Sequence, residues 1–170
     1  MSSEFRPLSI AVLTVSDTRT DATDKSGALL VERVTASGHR LAEKRIVRDD
    51  VYAIRAVVSA WIADPGVDVV ITTGGTGVTG RDGTPEAVAV LLDKEIQGFG
   101  EMFRMLSYDE IGTSSLQSRC LAGVANGTFV FCLPGSVNAC ATGWDKILRA
   151  QLDIRTRPCN FAELIPRLKE

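Results

Sequence analysis

Val67-Asp68-Val69-Val70-Ile71-Thr72-Thr73 runs directly into Gly74-Gly75-Thr76-Gly77-Val78-Thr79-Gly80-Arg81-Asp82-Gly83-Thr84-Pro85. A short β-branched run, apolar at nearly every position, is the pattern of a strand buried on both faces of a parallel sheet. The loop behind it carries five glycines between Gly74 and Gly83. Thr84-Pro85-Glu86 then reads as a helix start, with a capping hydroxyl, a proline at the first helical position and an acid in the first turn. Strand, loop and helix make one βα unit.

Working outward, the unit recurs. Leu8 to Val15 (LSIAVLTV) is a second apolar strand, ending in the polar Ser16-Asp17-Thr18, and Asp24 to Ser37 places Leu29, Leu30 and Val34 at helical spacing before Ser37-Gly38 stops it. Arg40 to Val47 reads as a strand, and Val51 to Ala63 as a helix whose Ile54, Val57, Val58, Trp61 and Ile62 share one stripe, closed by Asp64-Pro65-Gly66. Further on, Gly98 to Ser107 reads as helix, Gly112 to Ser118 as a polar loop, and Gly127 to Leu133 as a buried strand. A last helix starts near Ser136 and runs through Trp144, Ile147, Leu148 and Leu152. Repeated βα units imply a mostly parallel sheet with helices on both sides and right-handed crossovers. The chain is expected to be one domain over residues 1–170, with a core of about residues 8–152 and a tail over 153–170.

Composition narrows the function. The chain has 170 residues, 45% hydrophobic and 24% charged, with 19 Lys+Arg against 21 Asp+Glu for a net charge of −2. That balance offers no field for nucleic acid or anionic lipid, and no apolar run approaches a membrane span. His39 is the one histidine, read as a strand-edge residue, and Cys120, Cys132, Cys140 and Cys159 form no C-x-x-C pair and read as small buried hydrophobes. Neither a zinc finger nor a histidine metal site can be assembled from these residues, so a metal would need oxygen ligands. The opening MSSEFRPL lacks a leader pattern, and the expectation is a reduced, cytoplasmic protein.

In parallel sheets ligands bind outside the carboxyl ends of the strands, which brings together the loops after Val15, Val47, Thr73 and Leu133. The glycines of the third loop allow positive φ and close backbone approach, and successive N–H groups there suit a phosphate. Gly75 to Gly80 formally matches the dinucleotide fingerprint G-x-G-x-x-G. The helix opens only at Thr84-Pro85, however, and the loop follows the wrong strand, so a nicotinamide-dependent oxidoreductase is disfavoured; a P-loop is excluded because no G-K-[ST] follows. Asp82 closes the loop, and Asp49 and Asp50 follow the second strand. Each alone reads as a cap or a surface charge. Carboxylates from two loops beside a phosphate cradle suit Mg²⁺ bridging nucleotide phosphates. Pro134-Gly135-Ser136 either offers helix N–H groups to a second anion or is a simple turn with a serine cap. Glu101 and Arg104, one turn apart, read as an intrahelical ion pair.

ITTGGTGVTGRDGTPEA (Ile71 to Ala87), GFGEMFR (Gly98 to Arg104) and LPGS (Leu133 to Ser136) resemble the MoaB/Mog family of molybdenum cofactor biosynthesis proteins. IGTSSLQSR, GVANGT and LDIRTRPCNF resemble its B branch. The resemblance covers the chain from about Leu8 to Phe161. It implies a three-layer α/β/α sandwich, a homotrimer or hexamer, and molybdopterin as substrate, with ATP as co-substrate and Mg²⁺ as cofactor. Catalytic members adenylylate the molybdopterin phosphate and release pyrophosphate; a noncatalytic molybdopterin carrier is the alternative. By the same resemblance Asp49 and Asp82 match the family's acids and would hold Mg²⁺, and Gly74, Gly75, Thr76 and Gly77 would hold nucleotide phosphate. Glu101 matches the acid of the G-F-G-E element, Pro134, Gly135 and Ser136 would help seat the pterin or its phosphate, and a downstream metal-insertion protein is an implied partner.

Overall fold

The computed structural model describes residues 4–170; Met1-Ser2-Ser3, the start of the segment read as lacking a leader, lie outside the described residues. Six strands form one sheet in the order β2-β1-β3-β6-β5-β4. They are β1 (Ser9–Val15), β2 (Arg40–Val47), β3 (Val69–Thr73), β4 (Lys94–Glu95), β5 (Leu121–Ala125) and β6 (Thr128–Leu133). The pairs β1/β2, β1/β3 and β3/β6 are parallel, and β5/β6 and β4/β5 antiparallel. The mostly parallel sheet expected from the βα repeats is therefore present, with an antiparallel edge that those repeats did not announce.

Helices cover both faces. The layer formed by α1 (Lys25–Ala36), α4 (Gln97–Ile111) and α5 (Val137–Gly143) packs Leu30, Val34, Phe99, Phe103 and Cys140 onto Leu8, Ile10, Val12, Ile71 and Phe131. On the opposite face α2 (Val51–Ala63) and α3 (Thr84–Ala89) pack Ile54, Val58, Trp61 and Val88 onto Ala11, Leu13, Val70 and Val130. Alternate residues of β1 and β3 thus feed two separate cores, which is why those strands show no polar face.

Several sequence expectations need correction. Gly112 to Ser118 is not an open loop: Gly112–Gln117 coils into a 3-10 turn continuing α4, which itself reaches Ile111 rather than Ser107. Thr84 does not cap α3; its hydroxyl donates to the Gly74 carbonyl at 2.8 Å, and Gly83 holds the cap position with no side-chain bond. Asp50 is not a loop ligand but the cap of α2, accepting the Ala53 N–H at 2.8 Å. The last helix is interrupted, α5 passing through a π turn at Trp144–Leu148 into a short α turn at Arg149–Gln151. His39 is buried just ahead of β2, its Nδ1 accepting the Leu8 N–H at 3.1 Å. Cys120, Cys132 and Cys140 are buried as expected, but Cys159 is exposed.

One buried ion pair ties the α1 start to the sheet. Asp24 caps α1 through Gly27 N–H at 2.9 Å, accepts the Thr14 hydroxyl at 2.7 Å, and lies 3.0 Å from Lys44 Nζ, with no exposed side-chain surface. Burial pushes the Asp24 carboxyl up, but the Thr14, Gly27 and Lys44 partners together outweigh it and hold the group below its usual value. A carboxylate lowered in this way contributes stability above its unfolded pKa and loses it as pH falls through the folded value. Lys44→Met is expected to cost about 3 kcal/mol in urea unfolding at neutral pH, because it leaves a buried carboxylate without its cation. With the ammonium gone the Asp24 pKa rises, so the variant's acid loss should begin at a higher pH than that of the unaltered protein; coincident acid limbs would refute the pairing.

Candidate active site

Strand order places β1 between β2 and β3, so the loops leaving the carboxyl ends of β1 and β3 part in opposite directions and open a crevice there. A cleft of about 520 Å³ occupies this position. That is within the usual range of small-molecule sites, roughly 300–1,000 Å³. Its floor is the glycine loop, one wall the β1 and β2 loops with Asp17 and Asp49, and the other the turn Pro134-Gly135-Ser136. The remaining wall comes from α4 and the 3-10 turn after it, through Phe103, Ser107, Glu110, Ile111, Ser114 and Gln117. That wall comes from a helix and not from a strand-end loop, so the crevice rule alone does not find it.

The glycine loop is shaped by contacts that side chains would prevent. Gly74 has φ +102, and a Cβ there would fall 2.2 Å from the Val15 carbonyl oxygen; Gly75 has φ +68, and its Cβ would meet the Thr84 hydroxyl at 2.4 Å. Gly74 N–H donates to Leu133 O at 3.0 Å, and the Thr73 hydroxyl to Pro134 O at 2.9 Å, so the β3 and β6 loops are joined at their roots.

Asp49 and Asp82 both line the cleft. Asp49 Oδ1 accepts Gly83 N–H at 3.2 Å, and both carboxyl oxygens lie within 3.2 Å of where a Gly75 Cβ would stand. Asp82 Oδ2 accepts the Thr79 N–H at 2.9 Å and the Thr79 hydroxyl at 2.6 Å. Each acid thus retains one oxygen outside these bonds. Burial pushes the Asp49 carboxyl up, and the charges of Asp82 and Asp17 push it the same way against the Gly83 N–H. The Thr79 hydroxyl holds Asp82 below its ordinary value. An acid raised chiefly by burial, and further by a neighbouring carboxylate, is the electrostatic condition a bound cation relieves. Among the described residues no group of three or more His, Cys, Asp or Glu could cage a metal. A divalent ion here would complete its coordination with phosphate and water oxygens, the usual habit of Mg²⁺.

Two arginines fix the loop, neither of them anticipated. Arg81 clasps Asp17 through Nε at 2.9 Å and a terminal nitrogen at 2.7 Å, while Asp17 Oδ1 also accepts the Asp49 N–H at 3.1 Å. Arg119 binds the loop from below, donating from Nε to Gly77 O at 2.7 Å and from a terminal nitrogen to Asp82 O at 3.1 Å, and it pairs with Glu86. Cys140 approaches the Thr73 hydroxyl at 3.1 Å, but burial pushes its thiol up to about 11, so it stays protonated at neutral pH and is no nucleophile.

Glu101 stands apart. It lies on α4 in a separate small cleft with Gln97, Arg104 and Leu121, outside the walls described above. The expected ion pair with Arg104 does not form, since the Arg104 guanidinium turns instead to the carbonyls of Ser118 and Cys120, each at 3.4 Å. Ser136 does cap α5, accepting Ala139 N–H at 3.1 Å, as one of its two readings had it.

Residues 11–154 match the family model described as "Probable molybdopterin binding domain". The chain belongs to the MoaB/Mog family. The Molybdenum cofactor biosynthesis protein B of Escherichia coli strain K12 is 55% identical over 170 residues, covering 100% of this chain and 98% of the relative. The protein of the same name from Bacillus subtilis strain 168 is 46% identical over 142 residues, 83% of this chain and 84% of its own length. A crystal structure of Molybdenum cofactor biosynthesis protein B superposes with a TM-score of 0.87 at 42% identity, over 96% of this chain and 97% of that one. The tungsten cofactor synthesizing protein MoaB from Pyrococcus furiosus superposes with a TM-score of 0.76 at 34% identity, over 97% and 99%. The three-layer sandwich expected of the MoaB/Mog family is the fold observed.

Proposed function

We propose that this chain acts in molybdenum cofactor biosynthesis as a Mg-ATP-dependent adenylyltransferase for molybdopterin. An oxygen of the molybdopterin phosphate attacks the α-phosphorus of ATP, the bond from that phosphorus to the bridging oxygen breaks, and pyrophosphate leaves. The observation that carries the reading is the meeting of Asp49 and Asp82 with the glycine loop in one cleft.

The loop over Gly74, Gly75, Thr76 and Gly77 supplies backbone donors for nucleotide phosphate. Asp49 and Asp82 would hold Mg²⁺, which when bound would neutralise charge on the phosphates. The attacking phosphate is already ionised, so no protein base is required and the residues work by alignment. Pro134, Gly135 and Ser136 bound the opposite end, where the pterin or its phosphate would sit. The family reading also proposes a homotrimer or hexamer, for which Met102, Met105 and Tyr108 offer an exposed apolar row along α4. The adenylylated product would pass to a metal-insertion protein.

Incubation with molybdopterin, ATP and Mg²⁺ is expected to give a product heavier by one adenylyl group, with stoichiometric pyrophosphate. Pterin binding with no pyrophosphate released would make the chain a carrier.

A further inference from the structure

At the C-terminal end of α1, whose N-terminal end borders the cleft, lies a second cavity, of about 710 Å³, lined by Phe5, Arg33, His39, Trp144, Arg149 and Arg155 among others. None of the residues of the proposed reaction reaches it. Trp144 is completely buried, yet its indole Nε1 has no hydrogen-bond partner among the described residues. A buried donor left without an acceptor costs about 1–3 kcal/mol, so such groups persist where something supplies the acceptor. Trp144 also begins the π turn that interrupts the last helix. Such turns are rare and recur at functional sites.

The charges around Trp144 say which acceptor fits. Arg33 is held by Asp145 at 3.0 Å and by Glu32, outside the lining, at 3.3 Å, and Arg155 by Asp153 at 2.8 Å, which satisfies both aspartates of the lining. The exposed Arg149 guanidinium has no ion-pair partner among the described residues, which leaves it the one arginine of the lining without a counter-charge. His39 takes the Leu8 N–H on Nδ1, which puts its proton on Nε2 and makes that nitrogen a donor; burial lowers its pKa and keeps the ring neutral at pH 7. Donors outnumber acceptors, and a cation would find no unclaimed carboxylate.

We propose that this cavity is an oxyanion site for a small phosphate- or carboxylate-bearing molecule, gripped by Arg149, the Trp144 indole N–H and His39 Nε2–H. Phe5 and His39, with ring centroids 5.2 Å apart, give it an aromatic wall. The donors are side chains, unlike the backbone cradle of the glycine loop, so the two sites can be loaded independently.

The indole N–H resonances of ¹⁵N-tryptophan-labelled protein report on this directly. Trp61 donates to Glu43 Oε2 at 2.7 Å and serves as the internal control. Titration with inorganic phosphate, and separately with acetate at matched ionic strength, is expected to move the Trp144 signal with saturation while the Trp61 signal holds. The comparison of the two anions tells which oxyanion is preferred. Arg149→Met should weaken the response by about tenfold, the scale of losing one charged contact of about 1.4 kcal/mol. An unchanged Trp61 signal in that variant would show that its fold is intact. A Trp144 signal indifferent to both anions, or a response that survives Arg149→Met at full strength, would overturn the proposal. Phosphate bound only in the glycine loop would leave Trp144 unmoved and count against it.

Discussion

Asp82→Asn is expected to lower the adenylylation rate by about a hundredfold or more, the scale of removing one charged partner from a developing transition state. The substitution is nearly isosteric. The amide oxygen can still accept the Thr79 N–H and hydroxyl bonds that Asp82 Oδ2 accepts, so the loop has no reason to unwind. Arg119 continues to hold the loop through the carbonyls of Gly77 and Asp82, which the change does not touch. Thermal unfolding should therefore move little while turnover collapses.

The residual activity of Asp82→Asn carries a second signature. Asp49 is pushed up by burial and further by the Asp82 charge. Removing that charge lowers the Asp49 pKa, so Asp49 stays ionised to lower pH. If ionised Asp49 is required, the acid limb of the rate profile should shift to lower pH in the variant. A limb at the same pH, or a rate like that of the unaltered protein, would take this acid pair out of the mechanism.

How much of this was legible beforehand follows from where each residue's partners lie. β1 and β3 announced themselves because both their faces meet helices, which makes a continuous apolar run with no competing reading. Asp49 and Asp82 were readable because the crevice rule needs only strand ends, and those ends were correctly placed. Arg119 was not. Its partners are the carbonyls of Gly77 and Asp82 and the side chain of Glu86, all more than thirty residues away in the chain. Nothing local distinguishes it from any arginine in a polar stretch. Thr84 differs from its expected capping role for a more local reason: the fold of the glycine loop turns its hydroxyl back across the loop to Gly74 rather than to its own helix.

The antiparallel edge is different, because its signal was present. Asn126-Gly127 lies between Ala125 and Thr128, which pair across β5 and β6, and both turn residues have positive φ, +49 and +79. Asn-Gly is the strongest short hairpin signal. The strand before it, LAGVA, has a glycine in its centre and is weak by composition, which hides one arm of the hairpin. Gly123 is there for close packing, since a Cβ would stand 2.5 Å from the Lys94 carbonyl of β4. With two residues, β4 is too short for any periodicity to mark it.

Gly74→Ala should be the most damaging single methyl group in the chain. At φ +102 an alanine is strained regardless of its surroundings, and here its Cβ would also lie 2.2 Å from the Val15 carbonyl oxygen, a backbone atom of β1, which is paired on both sides and cannot step aside. Nor can the glycine withdraw the other way: its N–H is bonded to Leu133 O at 3.0 Å, its carbonyl accepts the Thr84 hydroxyl at 2.8 Å, and a Cβ on Gly135 would already lie 3.2 Å from its Cα. Strain plus backbone collision predicts a loss of about 2–4 kcal/mol in urea unfolding. Whatever fraction still folds should bind ATP poorly, because the loop would have to leave the β1 carboxyl end to make room. Gly80→Ala is the matched control, since Gly80 has no positive φ and open space where its Cβ would go. It should change stability by no more than about 0.5 kcal/mol and leave nucleotide binding alone. Equal effects from the two substitutions would mean that the loop is merely flexible, and that its glycines are not what shapes a phosphate site.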